Sequence, residues 1–402
     1  MTLTITRNRI QSLDILRGTV MVIMALDHVR DFLYKADLSK AADAALDPTN
    51  LQTTFPALFF TRWITHFCAP IFIFLAGTSI YLMSQRLSKN ELSVFLFKRG
   101  FWLVLLEITI VTFGWTFNPH YNVIILQVIW AIGLSMIFLG VAVQLPFHLI
   151  LVIGFLIVAG HNISDFVLVD PSTRKNIFLE FLLTANFSFH EFVPDHFFAI
   201  IYSFLPWTGV MMLGFCFGKF YDEKFDASKR KQLLLKLGTA IIAAFIIIRL
   251  INIYGDPMPW SVQPRGAVYT FLSFLNLNKY PPSLLFLCMT LGPAMIFLAV
   301  IEQVQNSFTR FMNIFGRVPM LYYVLHFYLI HVITVVVFYW QGFGVKDIAS
   351  PNNPFYFKPN GIGFGLWGLY AVWILVVLIL YPVCKKFANY KSAHKHWWLS
   401  YL

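Results

Sequence analysis

Charge is what this sequence has least of. Only 12% of its 402 residues are Asp, Glu, Lys or Arg, against 58% hydrophobic and 18% aromatic residues, an apolar content beyond what an ordinary soluble domain needs for its core. That excludes a soluble globular chain. Apolar runs of about 20 residues, each enough to cross a hydrocarbon layer of roughly 30 Å, recur along almost the whole length and leave no room for a separate soluble domain. Cysteine is scarce as well: Cys68, Cys216, Cys288 and Cys384 lie in or beside apolar runs with no Cys-x-x-Cys spacing. The usual zinc and redox motifs are therefore excluded, and the four read as small core residues. The stretch MTLTITRNRIQSLDILRG has no apolar segment followed by a small-residue cleavage site, so the first helix is expected to be retained.

What is present is a series of apolar spans, placed near 14–35, 56–83, 100–117, 122–144, 147–160, 196–219, 233–253, 283–303, 316–341 and 362–384 by their Pro, Gly and charge breaks. The expected fold is all-α: one polytopic integral membrane helical bundle of about ten transmembrane helices over residues 1–402. With the N-terminus inside, 19 of the 30 Lys and Arg residues fall on the inner side, which supports an N-in, C-in orientation. The net charge of +11 is then topological, and no nucleic-acid partner is expected. The partners are the lipid bilayer and a small molecule or glycan, with pairing to a second copy left open. No repeat of fixed period is visible.

The first span is the anomaly. RGTVMVIMALDHVRDF, residues 17–32, keeps Arg17, Asp27, Arg30 and Asp31 together with His28, although ionisable groups in membrane helices are costly and point to function by default. Arg17 and His28 are eleven positions apart, three helical turns plus about 20°, so they share one face roughly 16 Å apart. An arginine fork suits phosphate, and an imidazole titrating near neutrality suits proton transfer. The pair fits a long thin ligand with phosphate at one end and a reactive group at the other, the shape of a coenzyme A thioester. Asp31, three residues after His28, is placed to orient it, and Asp27 and Arg30 are spaced to pair with each other. The plainer reading is an ion-paired end cap with Arg17 as an anchor.

The stretch SLDILRGTVMVIMALDHVRDF resembles the start of the heparan-α-glucosaminide N-acetyltransferase catalytic-domain family, in its bacterial branch, and the Arg, ten residues, His spacing is similar to that of the wider superfamily of membrane acyltransferases that modify envelope sugars. TRWITHFCAPIFIFLAGTSIYL, ILQVIWAIGLSM, FLPWTGVMMLGF, KYPPSLLFLCMTLGP, GRVPMLYYVLHFYLIH and WWLSYL extend the likeness over nearly the whole chain. The resemblance implies a membrane enzyme of ten or eleven helices that takes an acyl group, most simply acetyl, from cytoplasmic acyl-CoA and passes it to an acceptor on the outer face. It implies His28 as the catalytic histidine and Arg17 as a donor-binding residue, with a bacterial inner membrane as the location. The chain is expected to lack the long luminal N-terminal domain of the lysosomal members, and it departs from them in reading LDHVRDF around His28.

Other polar residues in the spans are candidates for the acceptor side. Arg62 and His66 stand one turn apart in the second span, at a depth similar to His28 if the helices are neighbours, with Pro70 expected to kink that span. Glu107 reads as a helix link and Gln127 as a site candidate. His326 and His331 differ by about 140° around their helix, so only one can face a narrow cavity, and His326 is the expected one. Lys279, beside Pro281 and Pro282, forms a stiff basic lip. No metal is expected, because no pair has the spacing that presents two ligands from one helix. A proton-coupled transporter or flippase using the same His, Asp and Arg cluster is the alternative function, with a non-catalytic scaffold third.

Overall fold

The computed structural model describes residues 10–35, 47–168, 176–185, 187–349, 354–394 and 396–400. The chain is mostly helical, 71%. Six helical stretches among the described residues are long and apolar enough to cross a membrane: Pro56–Ser84, Phe147–Val167, Ala227–Ile251, Leu284–Ile301, Pro319–Trp340 and Leu366–Ala393. They coincide with six of the ten expected spans. The other four also contain helices, but of different character. α1, Gln11–Leu33, carries five charged residues. The run Lys89–Leu106, Glu107–Val111 and Thr112–Thr116 turns from α to π and back. Val128–Ala142 and Phe204–Phe217 have 15 and 14 residues, short for a full crossing.

Further labels follow chain order: α2 Pro56–Thr65, α3 Cys68–Ser84, α4 Lys89–Leu106, α5 Thr112–Thr116, α6 Val128–Ala142, α7 Phe147–Gly160, α8 Phe204–Phe217, α9 Ala227–Ile251, α10 Ala267–Leu275, α11 Leu284–Ile301, α12 Ser307–Arg317, α13 Pro319–Trp340 and α14 Leu366–Ala393. The expected second span is broken at His66 and Phe67 between α2 and α3. Pro70, four residues beyond His66, has no N–H to return to the His66 carbonyl.

The structure bears out the expected helical bundle, which carries one small sheet in addition. A small sheet of order β1-β3-β2 joins Val123–Leu126, parallel, and Ser188–Val193, antiparallel, to a central strand His196–Ile200. The expected spans 122–144 and 196–219 therefore begin as strands. VIIL and HFFAI are short runs of β-branched and aromatic residues, which hydrophobicity alone does not distinguish from the start of a helix.

α1 lies at the centre of the bundle: 17 of its 23 residues are buried, so its charges face protein rather than lipid. The Trp373 indole of α14 donates to the Val22 carbonyl at 2.7 Å, and the Cys68 thiol of α3 donates to the Val20 carbonyl at 3.3 Å. Against α12 the approach is backbone to backbone. A Cβ on Gly18 would overlap the Met312 carbonyl, and one on Gly316 would overlap the Asp14 carbonyl. Outer helices carry apolar residues all round, with Leu151, Val152, Phe155 and Leu156 on α7 and Ile246, Ile247 and Leu250 on α9 exposed, as lipid contact requires.

Candidate functional site

A cavity of about 1330 Å³ runs along α1, and residues from both ends of that helix line it: Arg17 near its N-terminal end, then Met24, and then Asp27, His28, Arg30 and Asp31. Arg17 is fixed by three partners. Its guanidinium donates to Asp14 at 2.9 Å, to the Ser79 hydroxyl at 2.9 Å and to the Gly316 carbonyl at 3.3 Å. Arg99, Arg317 and Lys391 line the same cavity. Arg317 follows Gly316 directly and donates to the Ala388 carbonyl and to Ser392, which places it and Lys391 beside Arg17. Apolar side chains, among them Phe72, Ile80, Met83, Phe95, Ile132 and Met136, also line the cavity.

At the other end, Asp27 accepts from Arg30 at 3.0 Å and from Arg62 of α2. The expected Asp27–Arg30 pair is thus present, and Arg62 joins it. Opposite charges and several hydrogen bonds offset the desolvation of each group. Asp31, expected to orient His28, accepts instead from Arg30 at 2.5 Å. The partner of His28 is His326 of α13: His28 Nδ1 lies 2.6 Å from His326 Nε2, and His326 Nδ1 lies 3.0 Å from the Tyr322 carbonyl. Three-residue spacing brought Asp31 near by sequence, but the adjacent guanidinium takes its carboxylate.

The dyad sits in an aromatic box. Trp115 meets His28 edge-on at 5.1 Å, Phe327 lies 4.3 Å from it, and Tyr322 stacks on His326 at 5.3 Å. Trp115 and Tyr323 also line the cavity, and their Nε1 and hydroxyl oxygen are buried with no hydrogen-bond partner. His66 lines the cavity at the break between α2 and α3 and leaves its buried Nδ1 likewise without a partner. Lys279 is buried, lines the cavity, and holds its ammonium 5.1 Å from the centre of the Tyr280 ring. Lys358, outside the spans, approaches Phe32 and Phe355 at the same end. Burial lowers its pKa from the ordinary value, with Asp31 acting in the opposite sense.

Gln127 lines the cavity and stands before α6. Glu107, read as a link, accepts from the backbone N–H groups of Gln127 at 3.2 Å and Trp130 at 3.1 Å, so its carboxylate caps the N-terminus of α6. His331 is apart from the site, with Nδ1 3.0 Å from the Gly114 carbonyl and Nε2 3.0 Å from the Tyr356 carbonyl. The structure therefore brings together Arg17, Asp27, His28, Arg30, Asp31, Arg62, His66, Gln127, Lys279 and His326 around one cavity or its immediate wall. Sequence reasoning passed over Arg99, Arg317 and Lys391, which count only as inner-side charges, and over Trp115, Tyr280 and Tyr323. No spacing in the sequence signals any of them. Among the described residues no three His, Cys, Asp or Glu side chains gather as a metal site.

A bundle of apolar helices around a buried polar site, reached along one charged helix, defines an integral membrane protein of enzyme or carrier type. The profile of the family described as "Heparan-alpha-glucosaminide N-acetyltransferase, catalytic" matches residues 9–248, more than half of the chain, and the chain belongs to that family. The match covers Arg17, His28, Arg62, His66 and Gln127 and ends before Lys279 and His326. No curated protein matches the chain.

Proposed function

We propose that the chain is an acyl-CoA-dependent membrane acyltransferase, with acetyl-CoA as the simplest donor, acting in a bacterial plasma membrane. The observation that carries this reading is one cavity lined by Arg17, Arg99, Arg317 and Lys391, by apolar side chains, and by His28 of the His28–His326 dyad beside the Asp27–Arg62 cluster. Four cations suit the phosphates of coenzyme A. The apolar stretch suits its extended arm, and His28 stands where the thioester would end. Family membership supports an acetyltransferase-like activity, and the excess of Lys and Arg on the inner side supports entry of the donor from the cytoplasm.

In the reaction, an amine or hydroxyl of a glycan or other small acceptor gives its proton to His28 as its N or O bonds to the thioester carbon. The C–S bond then breaks, and the coenzyme A thiolate takes the proton from His28, so that amide or ester and free thiol result. Arg62, His66, Lys279 and Gln127 are the acceptor-side candidates. Asp27 and Arg30 hold Arg62 and Asp31 in place.

The test is ligand-dependent stability. Acetyl-CoA raises the melting temperature of the detergent-purified chain, and Arg17→Ala abolishes the rise. No rise with any acyl-CoA, together with proton-coupled uptake into vesicles, would overturn the reading in favour of a transporter, which a cavity lined from both ends of α1 could also serve.

A further inference from the structure

We propose that His326 is a positioning residue that locks His28 in one tautomer and thereby makes Nε2 the proton-accepting atom. The inference rests on the reading of His28 as the acyl-transfer base. A carbonyl oxygen only accepts, so His326 Nδ1, at 3.0 Å from the Tyr322 carbonyl, carries a proton. In a neutral imidazole the opposite nitrogen is then a lone pair. That lone pair, His326 Nε2, lies 2.6 Å from His28 Nδ1, which must therefore be the donor. The Nε2 of His28 is left with its own lone pair on a half-buried ring that lines the cavity.

The ring of His326 is fully buried. It stacks on Tyr322 at 5.3 Å and lies 4.3 Å from Phe327, so packing holds the acceptor in place. A neutral imidazole here does what a carboxylate does in a serine hydrolase triad: it orients the base and stabilises the imidazolium formed in the reaction. It also adds no net charge to a site where a lone carboxylate would be costly to bury. Asp27, Asp31, Arg30, Arg62, His66, Cys68, Tyr202, Lys279, Tyr280, Tyr323 and Lys358 are among the other charged or titratable groups that line the cavity, and Asp27 and Asp31 are held by arginines.

The experiment compares the full-length wild type with His326→Phe, which keeps a ring but removes the acceptor, and with His326→Gln, whose amide oxygen can accept from His28 Nδ1. Coenzyme A release from acetyl-CoA, with glucosamine or water as trial acceptor, is followed against pH, and acetyl-CoA-dependent thermal stabilisation is measured in parallel. The expected result is that all three proteins are stabilised alike by acetyl-CoA. His326→Phe should then lose about 10²-fold or more in turnover with a displaced acid limb of the pH profile, and His326→Gln should restore much of the rate and the profile. Equal losses in both variants with an unmoved pH profile would mark a packing role and overturn the proposal, as would full activity in His326→Phe. A wild type that binds no acyl-CoA would sink the acyltransfer reading itself, and this proposal with it.

Discussion

Arg62 of α2 donates to the carboxylate of Asp27 on α1, joining two helices through residues 35 positions apart in sequence. Both side chains are largely buried and Arg30 shares the same carboxylate, so the three charges form one unit. Removing Asp27 takes the shared carboxylate from Arg62 and leaves Arg30 with Asp31. Asp27→Ala is expected to cost about 3–5 kcal/mol, and Arg62→Ala less, because Arg30 still pairs with Asp27. Thermal unfolding in detergent should rank them in that order, and equal midpoints would argue against a shared network.

The contact of α1 with α12 depends on two residues without side chains. Gly18→Ala or Gly316→Ala places a methyl group on a backbone carbonyl and must push the helices apart, at a cost of about 1–3 kcal/mol. Because Arg17 bonds the Gly316 carbonyl, the same substitutions should weaken acetyl-CoA binding measured by calorimetry. An unchanged affinity in a destabilised Gly316→Ala would show that the position of Arg17 does not depend on this contact.

Donor affinity should respond separately to the basic end. Lys391→Ala and Arg317→Ala are each expected to remove a charge-assisted contact to phosphate, on the order of 1.5–3 kcal/mol, or roughly 10- to 150-fold in Kd. Dephospho-coenzyme A should show a smaller difference between wild type and at least one of these variants. If both variants bind acetyl-CoA as the wild type does, the phosphates lie elsewhere.

His331 provides the contrast to His326 on the same helix. Its two nitrogens face the carbonyls of Gly114 and Tyr356 and it stacks on Phe117 at 3.6 Å, so it packs α13 against the end of α5 and the loop before α14. His331→Ala should lower the unfolding midpoint by an amount corresponding to about 1–3 kcal/mol, because the one N–H of the neutral ring no longer satisfies a buried carbonyl, and leave acetyl-CoA binding unchanged. A loss of binding without loss of stability would place His331 in the site.

The sequence by itself determined that this is a helical membrane bundle, because long apolar runs have no other stable use. It also determined that the first helix carries Arg17 and His28 on one face, because eleven residues make just over three whole turns. The Asp27–Arg30 pair followed from the same local geometry. The partner of His28 was decided only by tertiary structure: Asp31 is near in sequence, but its carboxylate goes to Arg30, while His326, 298 residues away, arrives through the packing of α13 on α1. That Arg99, Arg317 and Lys391 line the same cavity as Arg17 was decided in the same way, since three helices contribute one cation each. Periodicity reports which residues share a face of one helix. Which face meets which depends on close contacts such as Gly18 on Met312, and these exist only once the helices are packed.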